Sequence, residues 1–403
     1  MKTILQTLKK IKHTHIAALL FLAYIVVVAV AAFPPAFLHT VTYWANSRPG
    51  IIAARNKVDE EYKAMLGFTG NPLVNKGTYI NLNGLMARAV GKREVNARIR
   101  LHNGHLAGVI GERDVAPAAA QMIKLYNRTA QDGKAFLFVL APSQISKYED
   151  LLPTGYVDYS NRNSDDMLNA LRAADVPVLD LRDVQRDEGL LNADAFFVTD
   201  HHWRPETGAW AYAKIIERLT QDGVIPAVDA MYTDTARFRS EVFPNWFLGS
   251  SGKRTGRFFA GADDFSLVTP PFETFLSLEI PSAGIEKQGD FAEISYDQSA
   301  NVRNFFVAGP YTGYGHGDKD LTMYRNPSAP LDVKLLSIGD SFGNVPFTFM
   351  PLVFEACDEL DMRAFKADFA AYYETFDPDV VIVLVNNETV VQDNTTYNFF
   401  PEP

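Results

Sequence analysis

The sequence predicts an α/β fold in which a parallel sheet carries helices on both faces, and three observations predict it. Short apolar runs at residues 135–141 (AFLFVLA), 333–338 and 380–385 (VVIVLV) are too short for buried helices and read as buried strands. Helical spacing of apolar residues occupies much of the chain between them, so strand and helix alternate. The stretch KLLSIGDSFG at residues 334–343 then runs from a strand into a turn and on into apolar residues at helical spacing. That strand-to-helix turn places Ser341 at the C-terminal edge of the sheet, where ligands and chemistry collect in open α/β folds.

In chain order, Lys2, Lys9, Lys10 and Lys12 precede an uncharged apolar run at residues 16–38. At about 23 residues the run is long enough to cross a bilayer of about 30 Å. It reads as an N-terminal transmembrane helix, with residues 1–44 forming a cytoplasmic stub and anchor. A cleaved signal ending near Ala29, Val30 and Ala31 is the competing reading, but signal cores are shorter, about 7–15 residues. The lysines hold the short end in the cytoplasm, so the rest of the chain is expected outside the membrane. Residues 45–115 read as a lead-in, irregular to about residue 84. A β-hairpin follows at residues 95–111, turning at Asn103 and Gly104, with His102 and His105 exposed beside the turn.

Residues 116–403 carry the α/β pattern. A helix opens near Pro117, the strand at 135–141 follows, and residues 164–174 form a helix capped by Ser164. A strand at 176–181 comes next, and the apolar residues 195–198 form another leading into Thr199-Asp200-His201-His202-Trp203. Residues 205–219 form a helix. Between about 224 and 330 the alternation fails, and this Gly-, Pro-, Phe- and Asp-rich region reads as loops and short strands inserted over the sheet edge. The pattern resumes at residue 333, with a helix from Val345 to Cys357.

Composition narrows the function. The 403 residues are 47% hydrophobic and 21% charged, which describes a globular protein, and a net charge of −10 gives no support to nucleic-acid binding. The lone cysteine, Cys357, excludes an intramolecular disulfide framework.

A serine on such a turn acts as a nucleophile only if the chain supplies a base, and imidazole is the natural acceptor at neutral pH. Of the eight histidines, His201 and His202 stand between an apolar run and a helix, the setting that also holds Ser341. On extended backbone, residues two apart share a face. Asp200 and His202 then point together and His201 points away, which is the logic of an acid-oriented base. Asp340 shapes the turn beside Ser341, and His316 in a glycine loop is a poor mount for a base. Two other readings stay open: a metal held by Asp200, His201 and His202, and a packed structural corner around Trp203. No HExxH pattern supports the metal.

The TDHHW and GDSF motifs resemble the DHHW family and, behind it, the SGNH-type acetyltransferases of alginate acetylation. The resemblance spans about residues 116–403 and includes FLGSSGKRTGRFFAGADDF at 247–265. It implies an SGNH-hydrolase-like (flavodoxin-like) three-layer sandwich. By motif, Asp200 matches the orienting acid, His202 the base and Ser341 the nucleophile. It implies extracytoplasmic O-acetylation of a cell-surface or exported polysaccharide, without cofactor or metal. It also implies a partner, a multi-pass membrane O-acyltransferase that hands acetyl groups outward. Oxyanion donors are expected from the Ser341 N–H with Asn386, Asn387 or Gly309. Lys253, Arg254 and Arg257 read first as a solvated basic loop and, as the alternative, as contacts for an anionic sugar. An acetylesterase of the same fold and a catalytically silent polysaccharide-binding or assembly protein are the alternatives.

Overall fold

A computed structural model of the protein describes residue 22 and residues 76–307, 309–387 and 397–400. The chain divides into two compact units, Met1–Ile80 and Asn81–Pro403. In the first, Leu22 and residues 76–80 are described, all helical; the rest of the apolar run read as an anchor lies outside the described residues, as does the lead-in at 45–75. Among the described residues no helix is long and apolar enough to cross a membrane. The end of the lead-in is not irregular, because Lys76–Ala89 forms a helix, α1.

After α1 the second unit carries a small antiparallel sheet of β1 (Glu94–Val95), β2 (Arg98–Arg100) and β3 (Leu106–Ala107). Its β2–β3 hairpin turns at Asn103 and Gly104, as the turn dipeptide predicts, with Gly104 at φ 92°. His102 is exposed. His105 is not: it is 2% exposed, and burial, aided by the charge of Arg204, pushes its pKa down to about 4. Asp194 opposes that shift without reversing it. Folding thus favours the neutral ring. This stabilisation is complete above the unfolded value of about 6.5 and is lost as pH falls through the folded value. Between those two pH values the unfolding free energy is expected to drop by up to about 3 kcal/mol more than in a His105→Leu variant. Denaturant titrations at a series of pH values check this, and parallel slopes for the two proteins would rule it out.

The main elements follow: α2 (Ala116–Gln131), β4 (Ala135–Ala141), α3 (Ser160–Ala173), β5 (Val178–Asp180), α4 (Leu181–Asp187) and α5 (Pro205–Gln221). Helix α3 starts four residues earlier than expected. Ser164 does not cap it; its hydroxyl donates to the Ser160 carbonyl inside the helix. The strand expected at 195–198 is also absent. A one-turn helix, Asn192–Ala195, leads into a loop closed by an isolated bridge between Phe196 and Trp203. These apolar residues are buried by packing, without joining the sheet.

The inserted region contains β6 (Arg239–Phe247), α6 (Ser250–Thr255), β7 (Asp263–Thr269), β8 (Leu276–Ile280), β9 (Ile285–Gly289) and β10 (Leu321–Arg325). Strands β6 and β7 pair as a separate two-stranded sheet. The others do more than lie over an edge, since β8, β9 and β10 extend the main sheet. After β11 (Leu331–Gly339) come α7 (Asn344–Phe349), β12 (Phe354–Leu360), α8 (Phe369–Phe376) and β13 (Val380–Asn386). The helix expected to reach Cys357 stops at Phe349. Pro351 cannot continue it, and Cys357 lies buried on β12. An apolar run buried on all sides carries no periodicity to tell helix from strand.

The eight-stranded order is β5-β4-β13-β11-β12-β10-β8-β9. The first five strands are parallel, as the α/β reading requires, and the last three join antiparallel. Period-two alternation divides the central strands between two cores. Phe136, Phe138, Leu140, Leu336, Ile338, Val381 and Val383 pack with α2, α3 and α8. Leu137, Val139, Leu335, Ile382 and Leu384 face the opposite core with α5 and α7. Helix α5 earns its amphipathic face from Ala209, Tyr212, Ile215, Ile216 and Leu219, and Pro205 suits its first turn. It follows the DHHW loop, whereas α7 follows Ser341. The two meet where Gly208 leaves no room for a side chain: an added Cβ would lie 2.5 Å from Val345 Cβ. That close approach brings the two motifs to one rim of the sheet.

Candidate active site

Ser341 sits half-buried just beyond β11. Asp340 fixes the turn: its Oδ1 accepts from the Phe342 N–H at 2.9 Å and its carbonyl from the Gly343 N–H at 2.8 Å. This is the turn-shaping part expected of it. The buried side chain of His202 arrives from the loop before α5, with Nε2 2.7 Å from Ser341 Oγ and Nδ1 2.6 Å from Asp200 Oδ1. An ionised carboxylate only accepts, so Nδ1 carries the proton and the Nε2 lone pair faces the serine hydroxyl.

Asp200 is 4% exposed. Burial alone would raise its pKa, but the neighbouring His202 and His201 rings and hydrogen bonds from His202 and the Ser250 N–H overrule it. Together they hold the carboxyl well below the usual range. The Ser250 N–H, first in α6, reaches Asp200 Oδ2 at 2.5 Å. Gly249 makes that approach possible, because a Cβ there would lie 2.2 Å from Asp200 Cβ. From the other side, Gln144 Nε2 donates to the carbonyls of Phe197 and Asp200.

The loop is not extended, so His201 does not point away as alternation predicts. Its Nδ1 is 3.4 Å from Asp200 Oδ1 and 3.0 Å from Ser250 Oγ, and its ring centroid lies 3.8 Å from that of His202. Burial, then repulsion from His202 when that ring is protonated, pushes the His201 pKa down to about 4 against the opposing charge of Asp200. Asp200, His201 and His202 offer ligand atoms within 4.8 Å of one another and together could hold a metal ion. Both ring nitrogens of His202 already have partners, Asp200 and Ser341, so an ion bound by either would break one of these contacts.

Tyr311 closes the site from behind. Its ring stacks on His202 with centroids 4.2 Å apart, and its hydroxyl accepts from Trp203 Nε1 at 3.1 Å and donates to the Ser341 carbonyl at 3.0 Å. Burial pushes the phenol far above its usual pKa, so it remains a donor. One residue thereby ties the DHHW tryptophan, the imidazole and the serine backbone together. Tyr311 lies in GPYTGYGHG, the glycine loop that also holds Gly309 and His316; His316 itself is buried, with Nε2 bonded to the Ile294 carbonyl.

The other expected site residues are not joined to Ser341 by any hydrogen bond among the described residues. The Asn386 side-chain amide donates to Asp340 Oδ2 at 3.0 Å and so braces the turn. Asn387 Nδ2 donates to Asn161 Oδ1 at 3.2 Å. Gly309 opens the 3₁₀ turn Pro310–Gly313 that carries Tyr311. Arg254 is exposed on α6, and Arg257 lies over the Phe305 ring at 4.8 Å. Burial lowers the pKa of Lys253, opposed by the charge of Asp200.

Residues 109–241 match the family described as SGNH hydrolase-like domain, acetyltransferase AlgX, a span that contains Asp200 and His202. The chain is similar to the SGNH hydrolase-like acetyltransferases. Its fold is similar to that of PatB1 from Bacillus cereus, with a TM-score of 0.60 at 19% identity, covering 76% of this chain and 98% of that one. PatB1 solved with a sulfonyl adduct gives 0.58 at 20%, covering 72% and 95%. A DHHW family protein from Eubacterium siraeum gives 0.57 at 16%, covering 75% and 95%. These likenesses bear out the SGNH-like α/β fold, and the family match bears out the resemblance to SGNH-type acetyltransferases over its span. No curated protein matches the chain.

Proposed function

We propose that the protein is a membrane-anchored, extracytoplasmic O-acetyltransferase that acts on a cell-surface or exported polysaccharide. Ser341 is the nucleophile, His202 the general base and Asp200 the acid that orients it. The observation that carries this reading is the unbroken line from Asp200 Oδ1 through His202 to Ser341 Oγ, with contacts of 2.6 and 2.7 Å.

In the first half-reaction Ser341 Oγ bonds to the acetyl carbonyl carbon while His202 Nε2 takes its proton. The donor's oxygen leaves with that proton, and the acetyl ester of Ser341 remains. In the second, a sugar hydroxyl gives its proton to Nε2 as its oxygen attacks the same carbonyl. Ser341 Oγ then departs and recovers the proton. The Ser341 N–H meets no acceptor among the described residues and serves as one oxyanion donor. The second amide proton of Asn387 or the Gly309 N–H serves as another. Lys253, Arg254 and Arg257 adjoin the α6 turn that holds Asp200 and favour an anionic sugar. The acetyl donor is a separate multi-pass membrane acyltransferase, and the chemistry needs no cofactor.

An arylsulfonyl fluoride tests the reading, followed by peptide mass spectrometry and by assays with an activated acetyl ester and an oligosaccharide acceptor. Expected are a single sulfonyl group on Ser341, loss of activity in step with labelling, and acetylated sugar from the untreated protein. Ester consumption without sugar acetylation would make the protein an esterase. A folded protein that leaves the reagent untouched would make it catalytically silent.

A further inference from the structure

We infer that Thr199 and Asp263 are positioning residues that clamp the acid–imidazole pair, and that the inserted β6–β7 sheet exists in part to supply this clamp. The inference rests on the proposed roles of Asp200 and His202. Its starting point is a carboxylate in an unfavourable place. Asp263 is 4% exposed, and burial raises its pKa against the opposing bonds of Thr199 and Val198 and the charge of Arg204. A buried carboxylate is costly unless several donors satisfy it.

All three of its donors come from the two residues before Asp200. The Val198 N–H reaches Oδ1 at 2.7 Å, the Thr199 N–H reaches Oδ2 at 2.9 Å, and Thr199 Oγ1 reaches the same Oδ2 at 2.5 Å. Thr199 is itself fully buried and holds the loop from a second direction. Its Oγ1 accepts from the Gly249 N–H at 2.9 Å and its carbonyl from the Gly252 N–H at 2.8 Å. Between these two donors, the Ser250 N–H grips Asp200 itself. Orphan N–H groups of the first turn of α6 therefore fix two successive residues of the loop.

Both halves of this grip start from one small sheet. Phe247, the last residue of β6, pairs with Asp263, the first of β7, and Gly249 follows two residues after Phe247 as the cap of α6. The clamp closes around Thr199 Oγ1, the one atom bonded to both halves. The placement of Asp200, and with it the tautomer and aim of His202, is thereby set by a segment that carries none of the reacting groups.

The experiment uses the full-length chain in detergent. Thr199→Val keeps the β-branched shape and the backbone N–H but removes the linking hydroxyl, and Thr199→Ser restores it. Transfer kinetics are read with the proton resonance of His202 Nδ1–H, which the short bond to Asp200 moves far downfield and which His202→Gln identifies by its loss. For Thr199→Val the expected result is a kcat lower by about 10- to 100-fold, an unchanged KM and a weakened or missing resonance. Thr199→Ser is expected to recover both. Asp263→Asn should act in the same direction; if it fails to fold, Thr199→Val alone decides. A Thr199→Val protein with wild-type kcat and an intact resonance overturns the inference. So does one whose only change is a lower melting temperature with the resonance intact. The resonance needs no turnover, so a failure of the serine reading, seen as a fully active Ser341→Ala, is distinguishable from a failure of the clamp.

Discussion

Ser341→Ala and His202→Gln are each expected to lower acyl transfer by about 10⁴-fold or more, with the double variant no slower than either single one. The non-additivity follows from the geometry. Nε2 lies 2.7 Å from Oγ, so the base has one proton to remove and the nucleophile one base to give it to. Once either partner is gone, the other has nothing left to contribute. The comparison uses initial rates of acetyl transfer from an activated ester, with folding checked by circular dichroism. Losses that multiply in the double variant would mean that the two residues act in separate steps.

Gly249→Ala is expected to lower kcat by about 100-fold and to cost roughly 1–3 kcal/mol of stability through overpacking. The backbone there has φ −72°, which any residue adopts, so the penalty is purely one of space. The added methyl would lie 2.2 Å from Asp200 Cβ and 2.5 Å from Asp200 Oδ2, where no atoms can coexist. Asp200 cannot retreat without releasing the Ser250 N–H or the imidazole. Either movement spoils the alignment on which His202 depends. Thermal unfolding and steady-state kinetics measure both effects together. A variant with unaltered kcat would mean that α6 shifts freely relative to the loop.

The centre of the fold was legible because β4 and β13 are buried on both faces and so appear as nearly continuous apolar runs, and β11 is buried likewise from Leu335 to Gly339. The sheet's antiparallel extension was not. Strands such as β9 (IEKQG) are short and largely exposed, and nothing local says that they pair. At the site, Asp200, His202 and Ser341 could be read because their chemistry and their motifs are local. Their supports could not. Thr199 and Asp263 are 64 positions apart, and Tyr311 acts on groups more than a hundred positions before it and 30 after it. Asn386 shows a part that its position did not reveal: that position suggested an oxyanion donor, and its amide braces the nucleophile turn through Asp340.

Strand β4 has β13 as one of its neighbours, in register from Ala135 with Val380 to Ala141 with Asn386. The earliest strand of the main sheet thus waits for the last. During synthesis, the imidazole and its carboxylate leave the ribosome well before the alcohol they are to serve, and the sheet has a gap at its middle until the final strand is made. A product cut short before residue 380 would expose two raw edges of hydrogen-bonding backbone. Closing contacts across so much sequence also favours slow folding. Chains that lack β13 would therefore be inert as well as prone to aggregate, and activity would begin only once that strand has paired.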